Sequence, residues 1–211
     1  DNAYCVHHLT DTHDVILNML EECRKAGHED RALMFCSLSK VTFPGAGVAA
    51  MAASRRNIDY ILKNMFPMII SFDKLNQVRH IRFLKDMDGL AAHKEKHRAL
   101  LEPKFRAVLA ILDEGLSGCG SIARWTKPNG GYFLSLYTLG GCAKRTVQLC
   151  REAGVVLTDA GAAYPYGVDP QDSNIRIAPT YPTLGDLITA AELFTLCVKL
   201  SSVEKLLKTM A

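Results

Sequence analysis

An apolar run, Leu33-Met34-Phe35-Cys36, leads straight into Ser37-Leu38-Ser39-Lys40 and on to the turn Pro44-Gly45-Ala46-Gly47. A short apolar segment bounded by polar residues reads as a buried strand. A lysine at the end of such a strand is costly to desolvate, so it is either a surface residue or a group in use. Glycines in the turn let backbone N–H groups approach an anion closely. The Ala-rich "VAAMAAS" behind the turn reads as helical, with the helical region running through Met65 and Pro67 breaking it. Strand, polar loop, glycine turn and helix together form a unit typical of α/β proteins.

The rest of the chain is read the same way. Residues 14–26 place Val15, Ile16, Leu17, Met19, Leu20 and Cys23 at helical spacing, with Gly27 in the C′ position. Residues 73–84 form another helix. From His93 onward, Leu101, Phe105, Val108, Leu109, Leu112 and Leu116 make one apolar stripe. Pro103 lies within it and lacks the N–H of a continuous helix, which predicts a kink or break. After Gly118 the texture changes to short strands around Pro128-Asn129-Gly130-Gly131. A short amphipathic helix closed by Gly154 follows, then a strand at 155–161 and another at 174–182. Thr183 caps a final helix reaching about Leu200. This last segment reads as a small α+β domain.

Composition narrows the function classes. A net charge of +3, with 22% charged and 48% hydrophobic residues, fits an ordinary soluble globular protein. It is too small a charge to argue for a nucleic-acid partner, and the basic run of residues 79–85 reads as a solvated helix face. No apolar run approaches the roughly 18–20 residues of a membrane span, and no signal-peptide pattern is present. The seven cysteines show no C-x-x-C spacing and read as reduced thiols of a cytoplasmic protein. His7-His8 alone does not make a metal site, so no metal is expected.

Four local features point to one chemistry: "DNAY" followed by "VHHL" at the start, "SLSK-TF-GAGV", "GGYF-SL" and "NIRIAPTYP". As a set, in this order, they resemble the class I, fold-type I aminotransferases that depend on pyridoxal phosphate. The similarity is greatest to the bacterial aspartate aminotransferase subgroup. It covers essentially the whole chain, but only the C-terminal half of such an enzyme. It implies an α/β fold in which residues 1–95 are the C-terminal part of the large cofactor-binding domain. Residues 96–211 then form an interdomain helix and the small α+β domain.

The resemblance also implies roles. Asp1 corresponds to the carboxylate that pairs with the pyridine nitrogen and keeps the ring an electron sink. Tyr4 corresponds to the phenol that hydrogen-bonds the cofactor's phenolic oxygen. Lys40 corresponds to the Schiff-base lysine, which also moves the substrate's Cα proton. Ser37 and Ser39 offer hydroxyls to the phosphate. Arg176, between Ile175 and Ile177, corresponds to the arginine that grips the substrate α-carboxylate; its planar fork matches a carboxylate bidentately. Strand alternation turns it away from whatever those isoleucines pack against. Arg79 is a candidate for a second carboxylate, with a surface arginine as the alternative. No arginine follows the glycine turn until Arg55, so phosphate binding leans on the serines, on backbone amides and on residues outside this chain.

The expected partners are an amino acid, a 2-oxo acid, a homodimeric copy and the N-terminal half, without which the fragment is expected to be inactive. The same fold also serves β-elimination and decarboxylation, and a non-catalytic effector-sensing domain of a regulator. An isolated interaction module is a further alternative.

Overall fold

The computed structural model of the chain describes residues 3–210 and divides into two units. The first runs to Arg98 and adds Asn129–Gly131; the second comprises Ala99–Pro128 and the chain from Tyr132 onward. Asp1 lies outside the described residues.

In the first unit, helix α1 (Met19–Lys25) precedes strands β1 (Leu33–Ser37) and β2 (Ala49–Ala53). Helices α2 (Arg55–Met65) and α3 (Lys74–Leu84) follow, and then the start of α4 (Met87–Leu116). Helix α1 is shorter than its apolar spacing predicts. Asn18 caps it, accepting from the Glu21 N–H, while Val15, Ile16 and Leu17 are exposed and bury no face that would extend the helix. Gly27 does close it, at a φ of 72°.

The Ala-rich stretch after the glycine turn is a strand, not a helix. β1 and β2 form an antiparallel hairpin in which Leu33 faces Ala53 and Ser37 faces Ala49. Alanine's helix preference is worth only tenths of a kcal/mol per residue, and a paired ladder outweighs it. The helix begins one residue later, where the Ser54 hydroxyl accepts from the Asn57 N–H. Leu33 and Phe35 remain about half exposed, so the apolar side chains of β1 lack cover among the described residues.

In the second unit the remainder of α4 packs Phe105, Val108, Leu112 and Leu116 into the interior. Pro103 does not break α4, which is continuous from Met87 to Leu116. The bond that Pro103 cannot make falls on the carbonyl of Ala99, an exposed residue, where water can take the vacant place. Strands β3 (Ala123–Trp125), β4 (Leu134–Thr138) and β5 (Asn174–Ile177) form an antiparallel sheet in the order β3-β4-β5. Leu134, Leu136, Ile175 and Ile177 bury its inner face, each contributing about 1.5–3 kcal/mol. Helices α5 (Ala143–Glu152) and α6 (Leu184–Met210) complete the unit, and Phe194 and Val198 of α6 are buried.

The α6 N-terminus is capped by Thr183, whose hydroxyl accepts from the Asp186 N–H at 3.2 Å, but the helix runs ten residues past Leu200. Residues 155–159 form irregular chain where a strand was expected. Their apolar character is used differently: Leu157 and Val155 line a small apolar cavity with Leu112, Ile177 and Phe194.

The turn before β5 is organised by one carboxylate. Asp169 accepts from the backbone N–H groups of Ser173 (2.7 Å), Asn174 (2.8 Å) and Gln171 (2.9 Å). Desolvation pushes this carboxyl up, but the three backbone donors outweigh it and hold it below the usual carboxylate range.

Two outcomes follow. Gly47→Ala would place a Cβ 2.9 Å from Ser39 Oγ and 3.1 Å from the Ser39 backbone. It should cost about 1–3 kcal/mol and lower the thermal unfolding midpoint, whereas Gly118→Ala, with open space around it, should be nearly neutral. Asp169→Ala should cost about 1–3 kcal/mol at neutral pH. Because the folded pKa of Asp169 is depressed, its contribution is present above the unfolded value and lost as pH falls through the folded one. Denaturant melts of wild type and variant should therefore converge in acid.

Candidate active site

The β1–β2 hairpin projects the loop of residues 38–48, and Lys40 is exposed at the turn following β1. The loop is closed at its base by the Leu38 N–H donating to the Val48 carbonyl at 2.8 Å. A tight turn follows, in which the Val41 and Thr42 N–H groups both donate to the Leu38 carbonyl at 2.9 Å. Ser37 and Ser39 are half-buried beside it. Their hydroxyls share a hydrogen bond of 2.6 Å, and the Ser39 N–H donates to Ser37 Oγ at 3.1 Å. Gly47 leaves the space next to Ser39 that any Cβ would fill.

Tyr4 is half-buried in the N-terminal segment of the same unit. The His7 N–H donates to the Tyr4 carbonyl at 3.1 Å, and the two rings lie 5.8 Å apart between centroids. His7 is itself buried, and its Nε2–H donates to the Lys40 carbonyl at 2.9 Å. A carbonyl can only accept, so this contact places the proton on Nε2. The same segment pairs with the Asn129–Gly131 turn. The Leu9 N–H donates to the Asn129 carbonyl at 2.8 Å, and the Gly131 N–H donates to the His7 carbonyl at 2.7 Å. Gly130 is required for that approach: a Cβ there would stand 2.6 Å from the His7 carbonyl oxygen. Three of the four sequence motifs thus converge through hydrogen bonds of the His7 ring and of the backbone beside it.

Two more histidines hold the loop. His93, on α4, donates from Nε2 to the Val41 carbonyl at 2.7 Å. His80, on α3, is buried, with Nε2 at 2.7 Å from the Thr42 hydroxyl and Nδ1–H donating to the Asn76 carbonyl at 2.8 Å. Asn76 in turn donates from Nδ2 to the Gly47 carbonyl at 3.2 Å. The sequence reading missed these groups. His7 stood out only as half of a His-His pair, and His80 and His93 lie 40 and 53 residues from Lys40, with no local pattern to link them to it.

The fourth motif lies in the second unit. Arg176 stands on β5 opposite Ser135 of β4, and its neighbours Ile175 and Ile177 are buried. Its guanidinium carbon sits 4.8 Å from the Phe133 ring centroid. Nε is buried and has no hydrogen-bond partner among the described residues. A buried guanidinium N–H in that condition suits an anionic ligand with two acceptor oxygens. Arg79 is exposed on α3, beside Leu75, Val78, Arg82, Phe83 and Phe43.

The chain is similar to known proteins over nearly its whole length. A sequence model of the family described as aspartate amino-transferase matches residues 1–210. A Mycolicibacterium smegmatis protein named as an aminotransferase is 47% identical over 207 residues, which is 98% of this chain and 48% of that protein. The crystal structure of an aspartate transaminase from Corynebacterium glutamicum superposes with a TM-score of 0.92 at 40% identity, covering 97% of this chain and 48% of its own. LysN, an α-aminoadipate aminotransferase from Thermus thermophilus solved with N-(5'-phosphopyridoxyl)-L-leucine, shares the fold at 20% identity, with a TM-score of 0.75 over 95% of this chain. The chain spans about half the length of the curated relatives it matches. It belongs to the aspartate aminotransferase family and has the α/β architecture of the fold-type I aminotransferases.

Proposed function

We propose that the complete protein carrying this chain is a pyridoxal-phosphate-dependent aminotransferase, with aspartate or a similar amino acid as donor and 2-oxoglutarate as acceptor. One observation carries the reading. Lys40 directly follows Ser39, whose hydroxyl lies 2.6 Å from that of Ser37, with a glycine where a side chain would crowd Ser39. A lysine adjoining two hydroxyl-bearing residues and a bare backbone in one loop suits a cofactor that bears an aldehyde and a phosphate. The donors present fit that group.

Pyridoxal phosphate, when bound, supplies an electron sink for the charge left on an amino acid's Cα after its proton departs. The chain's own residues do the rest. Lys40 Nζ would hold the cofactor, and the same amine would accept the Cα proton and later return it. Ser37 and Ser39 donate to the phosphate. The Tyr4 phenol donates to the ring oxygen, and Asp1, by the family pattern, pairs with the ring nitrogen. Arg176 holds the α-carboxylate in its fork and so orients the Cα–H bond. The reading extends to the division into residues 1–95 and 96–211, to a homodimer and to a cytoplasmic enzyme. It also holds that the remaining half of the protein is needed for turnover.

The test is chemical labelling. The complete protein incubated with pyridoxal phosphate and reduced with borohydride should carry the pyridoxyl mass on the Lys40 peptide. Label scattered over surface lysines would overturn the assignment. Arg176→Lys should raise KM for the amino acid about 10–100-fold while leaving Lys40 labelled, since a point charge cannot replace a bidentate fork. An unchanged KM would remove Arg176 from the substrate site.

A further inference from the structure

Three consecutive residues, Lys40, Val41 and Thr42, are each held by a histidine from a different part of the chain. His7 comes from the N-terminal segment, His93 from α4 and His80 from α3. Fixing a rigid segment in space takes three non-collinear points, and here the points are a carbonyl, a carbonyl and a hydroxyl one residue apart. Loop carbonyls ordinarily take water as their partner. Burying protein donors against them instead costs desolvation, so that expense calls for a reason. Lys40 itself ends in four flexible methylenes, and the reach of Nζ is only as well defined as the Cα it starts from.

We infer that His7, His80 and His93 are positioning residues that triangulate the Lys40 backbone and thereby aim its amine. The inference rests on the reading of Lys40 as the cofactor-bearing amine. Each histidine has a defined part. His7 and His93 act as Nε2–H donors to carbonyls, at 2.9 Å and 2.7 Å. His80 is committed at Nδ1–H to the Asn76 carbonyl, which leaves Nε2 to meet the Thr42 hydroxyl. That hydroxyl has one proton, which His80 Nε2 takes, so the nearby Leu38 carbonyl, at 3.1 Å, is left to the Val41 and Thr42 amides. The rings are held from behind as well. His93 packs edge-on against Phe83 at 5.0 Å and His97 at 4.6 Å, and His80 against Phe43 at 5.5 Å.

The test separates the donor from the ring. In the complete protein, His93→Phe keeps an aromatic ring against Phe83 and removes the N–H, while His93→Gln keeps an amide donor; His7→Phe and His7→Gln form the matching pair. The readout is the rate of borohydride-trapped pyridoxyl label at Lys40, relative to label on the other lysines of the same sample. The Phe variants should lose about tenfold or more of the Lys40 rate, and the Gln variants should recover most of it. Thermal midpoints are measured alongside, because a merely structural role would move those without moving the Lys40 share. If wild type labels at Lys40 and both Phe variants keep the same share, the positioning inference is overturned and the cofactor reading stands. If wild type itself fails to label at Lys40, the cofactor reading falls and takes the inference with it. Should a Phe variant not fold, nitrogen-15 histidine spectra of the unmutated protein decide. Slowly exchanging Nε2–H signals for His7 and His93 support the inference; an Nδ1–H tautomer at either overturns it.

Discussion

The hydrogen bond from His7 Nε2–H to the Lys40 carbonyl is the contact on which the first unit is organised. The short segment around His7 has few backbone neighbours of its own, so its polar groups must find partners elsewhere. It finds them on two sides. The His7 ring reaches the Lys40 loop, and the backbone of residues 7–9 pairs with the Asn129–Gly131 turn. Remove that segment and the loop after β1 loses one of its three pins, while the Asn129–Gly131 turn loses its backbone partner. The glycine at 130 is the steric condition for this arrangement, since only a residue without Cβ allows so close an approach to a carbonyl.

The second unit depends on a different kind of constraint. Its sheet is anchored by alternation: Leu134 and Leu136 on β4, with Ile175 and Ile177 on β5, are buried on one face. That burial sets the register, and the register puts Arg176 opposite Ser135 on the other face, next to Phe133. Asp169 fixes where β5 begins by collecting the backbone donors of the preceding turn. Arg176 is thus oriented by the apolar residues that flank it on the strand.

Much of this was legible in the sequence, and the parts that were share a trait: their signals are local. The Pro-Asn-Gly-Gly turn between β3 and β4, the closing glycines at 27 and 154, and the Thr183 cap all act within a few residues of themselves. So does the set of motifs that marks the family. The misreadings are equally consistent. Ala49–Ala53 became a strand because β1 lies beside it. Residues 15–17 stayed out of α1 because nothing covers them, and α4 passed through Pro103 because the vacated carbonyl belongs to an exposed residue. In each case a partner distant in sequence, or the lack of one, outweighed a local preference worth less than about 1 kcal/mol per residue, or about 3 for proline.

By itself, then, the sequence determined the family, the residue types available for chemistry and the elements whose stop and start signals are built into a few neighbouring residues. Only the tertiary structure decided which histidines hold Lys40, that the Tyr4 segment and the Asn129–Gly131 turn meet, and that Arg176 keeps a buried donor open among the described residues. The physical reason is range. Caps, turns and periodicity are set by covalent neighbours, whereas a hydrogen bond between residues 33 or 52 positions apart exists only once the chain has been brought together by burial.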